Sequence, residues 1–120
     1  MSRVLVVDDD AVSRVVLRHM LAAQGFDVIE AHSVKGALEI LEHAYVEFIV
    51  CDYLMPGRNG LDLLEALGAA APPFVLLTGT LTRDQLDDPR VARVAAYVTK
   101  PVSTEELRCV TAELTMPQAA

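Results

Sequence analysis

The stretch RVLVVDDD, residues 3–10, runs a short series of β-branched and aliphatic residues into three consecutive acids, Asp8, Asp9 and Asp10. Such a run suits a strand buried on both faces, and the acids end it abruptly. Beyond it, residues 11–24 carry Leu17, Met20, Leu21 and Gln24 at helical spacing, with Gly25 placed to stop the helix. DVIEA, Asp27–Ala31, is a second short strand. Ser33 then caps a helix in which Val34, Ala37, Leu38 and Leu41 follow the i, i+3, i+4, i+7 pattern. FIVCD, Phe48–Asp52, reads as a third buried strand that again finishes on an acid. MPGRNG, residues 55–60, is a loop by its proline and two glycines, and an apolar helix follows over residues 61–67. FVLLT, Phe74–Thr78, is the fourth strand, after the break at Pro72-Pro73, and Ala96–Thr99 is the fifth. Ser103, with Glu106 three residues on, forms a capping box for the last helix, whose inner face is Leu107, Val110 and Leu114.

The fourth helix, between Thr82 and Val94, contains Pro89, which cannot sit in a helix interior without losing a hydrogen bond and clashing. Asp88-Pro89 suits the N-cap and first position of a short helix instead, so this element is expected to be shortened or broken. Five strands alternating with five helical stretches predict an α/β fold, a parallel sheet covered by helices on both sides. At 120 residues the chain reads as one domain, 1–120, with residues 116–120 a short tail and no internal repeat or linker.

Composition narrows the function classes. Ten Lys plus Arg against seventeen Asp plus Glu give a net charge of −7, and 52% of residues are apolar, ample for a core. The negative sum disfavours a sequence-independent grip on nucleic acid, which needs clustered cations, and docking on an anionic membrane surface. No apolar run approaches a membrane span, and the N-terminus lacks a signal-peptide pattern. Cys51 and Cys109 are far apart and form no CxxC, which suggests neither a disulfide framework nor zinc. A cytoplasmic protein is expected, with no direct nucleic-acid or membrane partner. Only two lysines occur, Lys35 and Lys100.

In an open parallel sheet, ligands bind outside the carboxyl ends of the strands, where the strand order switches. The strand ends here offer Asp8, Asp9 and Asp10, then Asp52, Thr78 and Lys100. Carboxylates packed that closely repel unless a cation joins them. A hard oxygen site with few protein ligands suits Mg²⁺ (or Mn²⁺), poised for phosphoryl transfer. An aspartate can itself be the nucleophile and become an acyl phosphate. Lys100 would supply positive charge to phosphoryl oxygens and Thr78 a hydroxyl donor. Taken singly, these residues are also ordinary caps and turn residues; four successive strand ends of the right chemical type carry the case jointly.

VLVVDDD, VCDYLMPGRNG around Asp52, LLTG at residues 76–79 and YVTKP at residues 97–101 resemble, in order and spacing, the receiver domains of bacterial two-component response regulators. The resemblance implies the flavodoxin-like (βα)5 fold, strand order 2-1-3-4-5, and phosphorylation of Asp52 by a sensor histidine kinase or histidine phosphotransfer protein. It implies Mg²⁺ bound by Asp9, Asp52 and the Leu54 backbone carbonyl, with Asp8 holding metal-bound water. Thr78 and Lys100 would contact the phosphoryl group, Tyr97 would be the rotating switch aromatic, and Lys100-Pro101 the family's cis peptide. The output surface for a downstream protein target would be helix four, strand five and helix five. Leu54 and Thr80 occupy positions that tune self-dephosphorylation in the family, and the chain would act as a monomer or phosphorylation-dependent dimer rather than as a conventional enzyme.

Pro89 departs from the family pattern within helix four, and Arg58 puts a cation near the pocket rim where an apolar residue is common. Val12, Val15 and His19 share a helix face offset from the core; with Pro101 and Val102 they suggest a phosphodonor docking patch, His19 itself being a surface residue. Two alternatives remain at this point. Asp8-x-Asp10-x-Val12 fits the haloacid dehalogenase-type phosphatase pattern with Asp8 as nucleophile, although the paired-acid motif that should follow the lysine is represented only by Glu105 and Glu106. A degenerate receiver would be a constitutive binding module. Dinucleotide binding fails because no GxGxxG follows the first strand.

Overall fold

The pleat of each strand sends alternate side chains to opposite faces, and the sequence supplies apolar residues for both. The computed structural model describes residues 2–79 and 86–115. Its elements run β1 (Arg3–Val7), α1 (Ala11–Ala23), β2 (Asp27–Ala31), α2 (Val34–Leu41), β3 (Phe48–Asp52), α3 (Gly60–Leu67), β4 (Phe74–Thr78), β5 (Ala96–Thr99) and α4 (Thr104–Thr115), with short 3-10 helices at Gly68–Ala70 and Pro89–Arg93. All strand pairs are parallel, in the order β2-β1-β3-β4-β5, the flavodoxin-like arrangement expected.

Alternation divides the core into two layers. Leu5, Val7, Ile49, Cys51, Phe74 and Leu76 bury against α2 and α3, where Val34, Ala37, Leu61 and Leu64 meet them. Val4, Val6, Phe48, Val50, Val75, Leu77 and Val98 bury against Leu17 and Leu21 of α1 and Leu107 of α4. Of the inner-face residues expected on α4, Leu107 is buried and Val110 and Leu114 pack partly against this layer. Thr111 is also buried there, its hydroxyl 2.6 Å from Gln24 Oε1 on α1.

The caps explain where the helices start and stop. Asp10 accepts from the Val12 N–H, Ser33 from Gly36 and Ser103 from Glu106. Gly25 takes φ 95°, the left-handed conformation that follows a helix end. α3 begins one residue earlier than its apolar pattern suggests, because Asn59 and Asp62 form a reciprocal capping box, Asn59 Oδ1 accepting from Asp62 N–H (3.1 Å) and Asp62 Oδ2 from Asn59 N–H (2.7 Å).

Between β4 and β5 the described residues hold only the five-residue 3-10 helix Pro89–Arg93, with Pro89 in its first turn and the Asp88 side chain accepting from Arg90 N–H at 2.9 Å. The fourth helix is thus shortened there, for the steric reason proline imposes. The N-terminal part of the expected 82–94 segment lies outside the described residues.

Candidate functional site

The strand order reverses between β1 and β3, and the site lies at their carboxyl ends. Asp8, the first residue past β1, is wholly buried and engaged at every polar atom. Its N–H donates to the Ala31 carbonyl (3.1 Å) and its carbonyl accepts from Arg14 Nη1 (2.7 Å). Its Oδ1 accepts from Asp10 N–H (2.9 Å), and Oδ2 lies 3.2 Å from Lys100 Nζ. The same ammonium is 3.3 Å from Oδ2 of Asp52, the last residue of β3, which is also buried. Asp9 is exposed, yet one oxygen from each of Asp8, Asp9 and Asp52 lies within 4.8 Å of the others.

Crowding shows in the protonation chemistry. Burial pushes the Asp52 carboxyl up; Lys100 beside it pulls the other way, and the Asp8 and Asp9 charges push it up again, leaving it above the ordinary aspartate range. Burial alone would lower the Lys100 ammonium, but the Asp52 and Asp8 charges outweigh it and hold the pKa above the usual lysine value. Burial, with help from Asp52 and Asp8, pushes the Cys51 thiol well up, so it stays protonated, 3.3 Å from the Asp52 carbonyl oxygen. Three formal negative charges thus face one ammonium. A surplus of hard oxygen donors at a partly open mouth fits a small divalent cation such as Mg²⁺, which keeps part of its water.

Thr78 ends β4 buried, its carbonyl accepting from Lys100 N–H at 2.8 Å. Tyr97 on β5 packs against the α2–α3 layer and its hydroxyl donates to the Val91 carbonyl at 2.8 Å. Leu54 stands in the loop after Asp52, 77% exposed. The Lys100-Pro101 bond is cis. Thr80 lies outside the described residues. Arg58 is exposed, and its charge acts on Asp62 of α3, helping to lower that carboxyl after Arg90 and Asn59.

Val12, Ser13, Val16, Lys100, Pro101 and Val102 line a groove of about 230 Å³ beside the acids. Val16, four residues on from Val12 on the same helix face, joins it in lining the groove. Val15 and His19 are exposed but do not line the groove.

Two contributors escape a strand-end reading. Arg14 reaches the site through a backbone carbonyl, an acceptor that every residue carries and no motif marks. Gly60 is required by a close approach: a Cβ there would lie 2.6 Å from the Asp52 carbonyl oxygen. The second glycine of MPGRNG was the available signal.

The model of the response regulator receiver domain matches residues 4–112. The chain belongs to that family. This receiver domain is 33% identical over 111 residues to the chemotaxis protein CheY of Pseudomonas aeruginosa, covering 88% of this chain and 90% of that protein. It is 34% identical over 110 residues to the transcriptional regulatory protein CpxR of Escherichia coli, covering 89% of this chain but 46% of that longer protein. Among solved structures it is similar to the response regulator TrrA of Thermotoga maritima, determined in complex with Mg²⁺-BeF, with TM-score 0.84, 26% identity and 95% and 99% of the two chains covered. Receiver domains of this kind are switches of bacterial two-component signalling, not conventional enzymes. No helix among the described residues is long and apolar enough to cross a membrane.

Proposed function

We propose that this receiver domain, residues 1–120 read as one unit, is a phosphorylation-dependent switch in which Asp52 accepts a phosphoryl group in a Mg²⁺-dependent reaction. The observation that carries this reading is the convergence of the Asp8, Asp9 and Asp52 oxygens within 4.8 Å, with Lys100 bridging Asp8 and Asp52. Asp9, Asp52 and the Leu54 carbonyl are the proposed metal ligands, with Asp8 acting through water. A divalent cation here (Mg²⁺ or Mn²⁺) supplies neutralisation of phosphoryl charge. The Asp52 carboxylate attacks phosphorus, an acyl-phosphate P–O bond forms, and the bond to the donor imidazole or carboxylate breaks, its electron pair leaving with the donor. Lys100 then turns from Asp52 to the phosphoryl oxygens, and Thr78 donates its hydroxyl.

Thr78 and Tyr97 lie on the α2–α3 side of the sheet, Tyr97 opposite Leu76 in register and Thr78 two residues further along β4. Movement of Thr78 toward the phosphoryl group vacates space for Tyr97 and exchanges its hydrogen bond to Val91, altering the surface formed by the Pro89–Arg93 turn, β5 and α4 where a downstream protein docks. The proposed phosphodonor is a histidine kinase or phosphotransfer protein seated on the groove of Val12, Val16, Pro101 and Val102, together with the exposed Val15 of the same helix. Leu54 and Thr80 tune the phosphorylated lifetime, and the domain works in the cytoplasm as a monomer or phosphorylation-dependent dimer. The net charge of −7 disfavours direct contact with nucleic acid by this domain itself.

The phosphatase reading would make Asp8 the nucleophile, but Asp8 is wholly buried and both its oxygens are engaged. A constitutive module would not need the full set of acids and the lysine. Incubation with Mg²⁺ and acetyl phosphate, followed by mass analysis, is expected to add one phosphoryl group to the wild type and none to Asp52→Ala. Label on Asp8, or no gain in the wild type, would overturn the reading.

A further inference from the structure

Arg14 is a second cation at the acid cluster, but it meets the cluster from behind. Its Nη1 donates to the Asp8 backbone carbonyl at 2.7 Å, while its Nε lies 3.4 Å from Glu30 Oε1 on the edge strand β2. The other Glu30 oxygen is 3.0 Å from Arg18 Nη1, one turn along α1. Arg14 is mostly buried, and its planar fork lets one guanidinium hold both groups at a fixed angle.

The peptide whose carbonyl Arg14 grips joins Asp8 to Asp9, so fixing that plane orients both carboxylates at once. Asp8 then has no remaining freedom: its N–H, carbonyl and both carboxylate oxygens are all engaged. Asp9 lines a cleft of about 500 Å³ with Arg14, His32, Ser33, Met55 and Pro56, so its exposed side chain has room to swing unless the peptide that carries it is fixed. We propose that Arg14, tethered by Glu30, is a positioning residue that aligns the Asp8–Asp9 peptide for the divalent cation, and so sets the affinity of the site. The inference rests on the proposed metal-dependent function.

Positioning and simple charge predict opposite signs. As a bare cation Arg14 repels a dication, so its removal would tighten binding. As an aligner its removal weakens binding, by about tenfold for partners that orient ligands from behind. Calorimetric titration of Mg²⁺ into the wild type, Arg14→Gln, Glu30→Gln and the double variant separates them. The expected result is weaker binding for both single variants, with the double variant no weaker than Arg14→Gln, because Glu30 acts through Arg14. Metal-free thermal unfolding of each variant checks that the fold is kept. Arg14→Lys, which keeps the charge but loses the planar fork, keeps the test available if Arg14→Gln does not fold: positioning predicts weaker binding and simple charge no change. Unchanged or tighter binding in the variants overturns the positioning role alone, whereas a wild type that binds no Mg²⁺ overturns both it and the metal-dependent reading.

Discussion

The charged form of Asp52 carries a cost. Its carboxyl is raised above the ordinary range by burial and by Asp8 and Asp9, against the pull of Lys100. An acid whose folded pKa is raised binds more protons folded than unfolded between its two pKa values, so its contribution falls as pH rises through that window. Without metal, Asp52→Asn is therefore expected to stabilise the domain at neutral pH, by on the order of 1 kcal/mol. The gain should shrink as pH falls through the raised pKa and both side chains become neutral. Denaturant unfolding in a chelating buffer at several pH values measures it, and a gain that grows toward acid would contradict the cause given. At this scale the acids, Thr78 and Lys100 were legible because each ends a recognisable apolar run. Arg14 was not, since its partner is a carbonyl, and neither was the place of Val16 in the groove beside Pro101, which depends on how α1 is rotated against the sheet.

Strand parity explains how separated elements build one site. Counting by twos from the buried residues Val6, Val50 and Val98, all in the α1–α4 layer, reaches Asp8, Asp52 and Lys100. The same count from Leu76, in the other layer, reaches Thr78, on the side where Tyr97 packs. Strand bounds read from apolar runs therefore carried the site with them, whereas the segment between β4 and β5 was legible only as far as Pro89. What holds that segment is partly long-range: Arg90 pairs locally with Asp88 at 2.7 Å and with Asp62 of α3 at 2.9 Å, the latter partner 28 positions away. Arg90 hydrogen bonds hold both carboxyls below the ordinary aspartate range. Lowered acids stabilise above their unfolded pKa, and the contribution is lost as pH falls through the folded values. Arg90→Gln, which spares the Asn59–Asp62 box, is expected to cost about 1 kcal/mol at neutral pH and low salt. The cost should diminish in high salt and at acid pH. A cost independent of both, in denaturant titrations, would mean that Arg90 acts through packing of its stem instead.

Across the whole molecule, the −7 charge is not spread evenly over the surface. Three of the acids converge at the carboxyl ends of β1 and β3, and Lys100 bridges two of them, Asp8 and Asp52. Two kinds of salt effect on global stability should therefore separate. Monovalent salt screens the general surplus of acids, and this effect should be nearly the same in the wild type and in site variants. A divalent cation that binds the folded site and not the unfolded chain adds RT ln(1 + [Mg²⁺]/Kd), about 1.4 kcal/mol at ten times Kd. For a domain of this size that raises Tm by a few degrees, roughly 3–6 °C. Thermal unfolding with MgCl₂, against NaCl of matched ionic strength, is expected to show this extra rise in the wild type and to lose it in Asp9→Ala and Asp52→Ala. Asp9→Ala is the sharper comparison, because Asp9 is exposed and its loss disturbs the core least. An equal rise in all three proteins would place the ion on the general acidic surface, and the convergence of the carboxylates would then be a consequence of strand parity alone.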